Sequence, residues 1–116
     1  MKCGLKEIEV SKLCNVFVQY ADIERVVLYG SRAKGNNKPF ADVDITLIGD
    51  TITRKRLNRL LMDIDDLLLP YQFDVSIFHN LTNADLIEHI QRVGITIFQT
   101  GEKYTYNQKS KIENQK

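Results

Sequence analysis

Two carboxylates, Asp42 and Asp44, are the residues of this sequence best suited to chemistry. They lie in the stretch ADVDITLI, whose apolar residues predict a β-strand from Val43 to Ile48. Because side chains on a strand alternate between its two faces, both acids project from the same face. Carboxylates held this close repel each other unless a cation lies between them, and Mg²⁺ prefers oxygen ligands of this kind. The pair therefore indicates a magnesium site.

A second feature, Gly30-Ser31, follows an apolar run from Val26 to Tyr29 that predicts a strand covered on both faces. If a short helix starts near Ser31, the backbone N–H groups of its first turn are unpaired and lie beside a hydroxyl. Such groups bind phosphate oxygens. Arg32 and Lys34 add positive charge, so this turn predicts a site for a phosphate-bearing ligand.

A third acid, Asp74, lies in the stretch from Phe73 to Phe78, which alternates as a strand does. Should this strand lie beside Val43 to Ile48, Asp74 would reach the space between Asp42 and Asp44, and three carboxylates would share one site. The alternative is a solvated edge residue or a turn cap, which is the more common place for a single Asp at a strand start.

The remaining elements follow from periodicity and capping residues. An apolar face within Leu5 to Tyr20 predicts a helix. A long helix capped by Thr51 or Thr53 carries apolar residues as far as Leu67 and Leu68, and Pro70 stops it. A further helix is predicted from a Thr82 cap to Arg92, closed by Gly94 in the left-handed conformation, before a short strand from Ile95 to Phe98.

Length and composition set the bounds. The 116 residues predict one domain over 1–100, followed by a polar, flexible tail over 101–116 that could become ordered on a partner. A net charge of +1 argues against a general nucleic-acid coat. The N-terminus lacks a signal-peptide core and no run reaches membrane-spanning length, so we expect a cytoplasmic protein with no membrane partner.

The other candidate ligands are few. Cys3 and Cys14 are not spaced as a metal or redox pair, and we expect free thiols. His79 and His89 each lack a second His or Cys at ligand spacing, so both are interpreted as surface or structural residues.

The combined pattern is Gly30-Ser31, ten intervening residues, and then Asp42-Val43-Asp44-Ile45, with a third acid at Asp74 on a later strand. It resembles the DNA polymerase β-like nucleotidyltransferase superfamily, and the loop GSRAKG and the small size resemble its minimal nucleotidyltransferase (MNT) branch. The resemblance runs from about Val26 to Phe78. It implies an α/β (α+β) nucleotidyltransferase fold, a small mixed β-sheet of about four strands with helices packed on it.

The resemblance also implies roles for individual residues. Asp42, Asp44 and Asp74 match the catalytic metal ligands, and Asp74 would also help to deprotonate the acceptor hydroxyl. Gly30 and Ser31 match the triphosphate-binding turn, with Arg32 as a further phosphate contact. The implied reaction is transfer of a nucleoside monophosphate, AMP from ATP or the equivalent from another NTP, to a hydroxyl with two Mg²⁺ ions as cofactor.

The acceptor is the open question. Minimal members of the family are commonly paired with a small helical HEPN protein, which is either a proposed substrate-binding subunit or a toxin that the nucleotidyltransferase neutralises by adding AMP. The resemblance thus implies an antitoxin that adenylylates a partner toxin. Two alternatives remain: transfer to a small hydroxylated molecule such as an antibiotic, or a non-catalytic antitoxin subunit that blocks its partner by contact. The short length disfavours the former, and the intact acid trio disfavours the latter. The sequence leaves open the nucleotide base and whether the chain forms a homo-oligomer.

Overall fold

The computed structural model describes residues 3–100; the predicted tail, 101–116, lies outside them. The helices are α1 (Glu7–Phe17), α2 (Ser31–Lys34), α3 (Arg54–Asp65) and α4 (Ala84–Val93), with a 3-10 turn at Phe78–Asn80. The strands are β1 (Arg25–Tyr29), β2 (Val43–Ile48), β3 (Phe73–Ile77) and β4 (Ile95–Gln99). Within residues 3–100, no helix combines the length and apolar character that a membrane span requires.

The four strands form one mixed sheet in the order β3-β2-β1-β4. Strand β1 is antiparallel to both β2 and β4, whereas β2 and β3 are parallel. Helix α3 connects these parallel strands, because a parallel pair cannot be joined by a tight hairpin. The predicted α/β fold is confirmed, and the two strands that carry the acids are neighbours.

The two faces of the sheet are covered unequally. Alternate residues of β1 separate into two clusters: Val26 and Leu28 join the main core, which includes residues of α1 and α3, while Val27 and Tyr29 pack with Ile90 of α4. The second cluster is small, so α4 covers only part of its face. Polar residues of β2 and β3 occupy the rest of that face, which is where the candidate site lies.

The predicted long helix begins where the sequence indicates and ends earlier. The Thr53 cap is confirmed, because its hydroxyl accepts the Arg56 N–H at 3.2 Å. The interpretation of Leu67 and Leu68 as helical is wrong, since α3 ends at Asp65. Leu68 has a φ of 57° and is 87% exposed. The left-handed Leu68 already interrupts the helical run, and Pro70 disfavours the helical conformation only at Leu69, so the helix cannot continue through this segment.

The predicted ends of α4 also need correction. The N-cap is Asn83 rather than Thr82, and its side chain accepts the Leu86 N–H at 3.0 Å. Gly94 is extended, with φ −60° and ψ 144°, so the predicted left-handed conformation is wrong. A Cβ atom at Gly94 would lie 2.4 Å from the Ile90 carbonyl oxygen and 2.5 Å from Val27. Glycine is therefore required there by close packing of the helix end on β1.

Candidate active site

The site is built on the pairing of β2 with β3. Asp44 and Asp74 are direct partners in the parallel register, so both carboxylates project from the face that α4 partly covers. Asp42 lies just before β2 and is exposed, as is Asp74, whereas Asp44 is half-buried. The strand adjacency on which the predicted acid trio depends is thus confirmed.

Asp44 is the carboxylate on which burial and the charges of the other two acids act together. Burial raises the pKa of Asp44 above its ordinary value, and the negative charges of Asp74 and then Asp42 raise that pKa further. The positive charge of Arg32 lowers the pKa of Asp44. Within residues 3–100, no three His, Cys, Asp or Glu side chains converge closely enough to hold one ion. Like charges repel, so acids without a cation between them are expected to stay apart.

The donor set nevertheless fits a hard cation. Three carboxylates supply the oxygen ligands that Mg²⁺ prefers, and they come from two adjacent strand starts on one face. Burial, and then the charges of Asp74 and Asp42, raise the pKa of Asp44, and a bound divalent cation would favour the ionised carboxylate. Asp42, Asp44 and Asp74 are therefore the residues that would hold the metal.

The predicted phosphate-binding turn, Gly30 and Ser31, is packed against Asp44. Gly30 has φ 77° and ψ −156°, a combination that is essentially restricted to glycine. A Cβ atom at Gly30 would lie 2.3 Å from Oδ2 of Asp44. Ser31 begins α2, as predicted, and its first-turn amide has no partner within the helix. The turn and one of the acids are thus in direct contact.

Hydroxyl groups that the sequence analysis did not single out lie on the same face as the acids. The Ser76 hydroxyl donates to Oγ1 of Thr46 at 2.9 Å, and the hydroxyls of Tyr29 and Ser76 are hydrogen-bonded. Burial raises the pKa of Tyr29, as do the charges of Asp74 and Asp44. The alternation of side chains along a strand could have identified Thr46 and Ser76, because each follows an acid by two residues and so shares its face.

Arg32 occupies a different position from the one predicted. Its side chain is 1% exposed and donates to the carbonyl oxygens of Cys3 at 3.0 Å, Pro39 at 3.3 Å and Ala41 at 2.9 Å. Its guanidinium also lies over the Tyr71 ring, 4.8 Å from the centroid. These contacts are those of a structural arginine and do not support the predicted phosphate contact. Successive residues of a helix are rotated by about 100°, so Arg32 faces a different side from Ser31.

His89 is the second residue that the sequence analysis left out of the site. It lies on α4, and its Nε2 accepts the Gly30 N–H at 3.1 Å. The Gly30 amide, which belongs to the predicted phosphate-binding turn, is therefore already hydrogen-bonded. No local pattern indicates this contact, because 59 residues separate the two partners.

Comparison with known proteins agrees with this geometry. The family model described as "Polymerase beta, Nucleotidyltransferase" matches residues 11–103. Since this match spans most of the sequence, the chain belongs to that nucleotidyltransferase family. A search of curated proteins finds no match.

Solved structures share the fold at low sequence identity. One is a chain of a toxin-antitoxin with AMP-PNP, which is 19% identical, with a TM-score of 0.63, and covers 84% of this chain and 77% of that one. Another is from the toxin-antitoxin MntA-HepT, which is 14% identical, with a TM-score of 0.60, and covers 82% of this chain and 74% of that one. At these identities the similarity establishes the fold alone.

Proposed function

We propose that this protein is a Mg²⁺-dependent nucleotidyltransferase that transfers AMP from ATP to a hydroxyl group of a partner protein in the cytoplasm. The partner is a small helical HEPN toxin, and the chain acts as its antitoxin. The observation that carries the proposal is the in-register pairing of Asp44 with Asp74 beside the Gly30-Ser31 turn.

Each residue of the site has a separate role in the proposed transfer reaction. Ser31 binds phosphate oxygens through its amide and hydroxyl, next to the carboxylates of Asp42 and Asp44 that hold the metal. Bound Mg²⁺ would neutralise the charge that develops on the phosphate oxygens. The acceptor oxygen forms a bond to the α-phosphorus, and the bond to pyrophosphate breaks. Asp74 is exposed and therefore accessible to the acceptor, whose proton it accepts.

The choice of a protein acceptor rests on the resemblance and on the structural neighbours. Solved relatives of the same fold come from structures described as toxin-antitoxin complexes, one of them with AMP-PNP. The MNT-like loop GSRAKG points to the same class. These observations favour a protein acceptor over an antibiotic-like molecule.

Labelled nucleotide tests the proposal directly. The chain is incubated with Mg²⁺, ATP labelled at the α-phosphate and the protein encoded next to it. Label on the neighbouring protein, lost when Mg²⁺ is chelated, is the expected result. Label on an added small molecule instead would contradict the protein acceptor, and no transfer with any of the four nucleoside triphosphates would contradict catalysis itself.

A further inference from the structure

His89 makes a contact that the proposed chemistry does not use. Its Nε2 accepts the Gly30 N–H at 3.1 Å and so joins α4 to the turn between β1 and α2. An imidazole nitrogen can accept a hydrogen bond through its ring lone pair, and Nε2 does so here. The ring therefore acts here as an acceptor for a backbone amide.

Gly30 needs such a partner because its own sterics do not select its conformation. Glycine lacks a Cβ and populates many backbone conformations, of which φ 77° and ψ −156° is one. In this conformation the Asp44 carboxylate lies against the α-carbon of Gly30, with Oδ2 at 2.3 Å from the position that a Cβ would take. A hydrogen bond from outside the turn favours one conformation among those available.

The acceptor is itself held firmly. The His89 ring packs edge-on against Tyr29, with 6.1 Å between ring centroids. The next residue, Ile90, is buried, and with Leu86 it packs against Val27 and Tyr29 of β1. The imidazole nitrogen therefore has a fixed position relative to the end of β1, from which Gly30 extends.

We propose that His89 is a positioning residue for nucleotide binding: by holding the Gly30 amide, it keeps the Gly30-Ser31 turn and the adjacent Asp44 carboxylate in the arrangement that receives the triphosphate. This inference rests on the proposed nucleotidyltransferase function and adds a residue to it. The requirement is an acceptor atom at this place. Phenylalanine preserves a ring and removes the acceptor, whereas glutamine offers an oxygen that can replace it.

The test compares four proteins: wild type, His89→Phe, His89→Gln and the control His79→Phe. His79 is the other histidine of the chain and is exposed on the 3-10 turn, so its variant repeats the chemical change away from the Gly30 amide. Binding of AMP-PNP with Mg²⁺ is measured by calorimetry. Hydrogen exchange of the Gly30 amide is followed by NMR, together with the melting temperature.

We expect His89→Phe to bind AMP-PNP about tenfold more weakly, as the loss of one oriented hydrogen bond implies, and its Gly30 amide to exchange about tenfold faster. His89→Gln and His79→Phe should stay within about threefold of wild type in affinity. Once nucleotide saturates the protein, kcat should change less than KM, because the interaction forms the binding site before chemistry begins. A merely structural role would lower the melting temperature and leave the affinity of the folded protein unchanged.

The outcomes separate the two levels of inference. Equal AMP-PNP affinity in wild type and His89→Phe would overturn the role of His89 and leave the nucleotidyltransferase proposal standing. No AMP-PNP binding by wild type would overturn the proposed function and this inference with it, while Gly30 exchange would still report on the hydrogen bond. If His89→Phe does not fold, His89→Leu also lacks the acceptor in a smaller side chain and gives the same comparison.

Discussion

Asp44 of β2 and Asp74 of β3 are partners in a parallel register, so their side chains leave the sheet side by side on one face. In a parallel pair, residues in register lie side by side on adjacent strands, and here both residues of one such pair are acids. Burial raises the pKa of Asp44, and the negative charge of Asp74 raises it further. Such an arrangement costs stability in the absence of a cation, and this is the physical basis of the first two predictions.

Neutralising one acid should separate activity from stability. We expect Asp44→Asn and Asp74→Asn each to reduce the proposed AMP transfer by more than about a hundredfold, because each removes a proposed metal ligand. The melting temperature of the metal-free variants should equal or exceed that of wild type, since the repulsion is relieved. Asp50→Asn, an exposed acid in the turn after β2, is the matched control and should retain activity. Full activity in Asp44→Asn would refute the assignment.

The pH dependence of stability should carry the signature of Asp44. Its pKa is raised in the folded protein, so folding favours the protonated carboxyl. This contribution is fully present below the ordinary aspartate pKa of about 4 and is lost as the pH rises through the higher folded value. As the pH rises from acid to neutral, the free energy of unfolding of Asp44→Asn should therefore increase relative to that of metal-free wild type. Urea titrations of both proteins across this range measure the difference, and a constant difference would contradict the raised pKa.

Glycine substitutions can test the contact between the turn and Asp44. Gly30 and Gly35 both have positive φ, 77° and 81°, but only a Cβ at Gly30 would meet Asp44, while one at Gly35 meets nothing within 4 Å. Gly35→Ala should cost about 1 kcal/mol of stability and keep its activity, whereas Gly30→Ala should cost up to about 3 kcal/mol. In Gly30→Ala the Asp44 carboxylate must also move, so we expect at least a tenfold loss of transfer, roughly the effect of a misplaced ligand.

The measurement for this pair is activity per folded molecule, with unfolding curves to count the folded fraction. Equal specific activity in the two alanine variants would show that the position of Asp44 does not depend on Gly30.

Arg32 should behave as a structural residue. The substitution Arg32→Lys keeps the positive charge but removes the planar guanidinium that donates to three backbone carbonyl oxygens. We therefore expect a loss of about 2–4 kcal/mol in the free energy of unfolding. Arg54→Lys repeats the change at an exposed position and should alter stability by less than about 0.5 kcal/mol. Unchanged stability with weakened ATP binding would instead restore the predicted phosphate contact.

Much of the site could be predicted because its determinants are local. The bounds of β2, Val43 to Ile48, follow from its alternating apolar residues, and the shared face of Asp42 and Asp44 follows from the same alternation. The Thr53 cap and the short helix at Ser31 are likewise set by neighbouring residues. The alternation of side chains also assigns Asp74 and Ser76 to one face of their strand from the sequence alone.

What the sequence by itself determined, then, is which side chains share a face and where most elements begin. The tertiary structure decided which residues meet. It set the parallel pairing of Asp44 with Asp74, the buried position of Arg32, and the hydrogen bond from the Gly30 N–H to His89. The physical reason is range. Periodicity and capping depend on interactions between residues a few positions apart, whereas sheet order and packing depend on partners separated by tens of residues, whose proximity only the folded chain establishes.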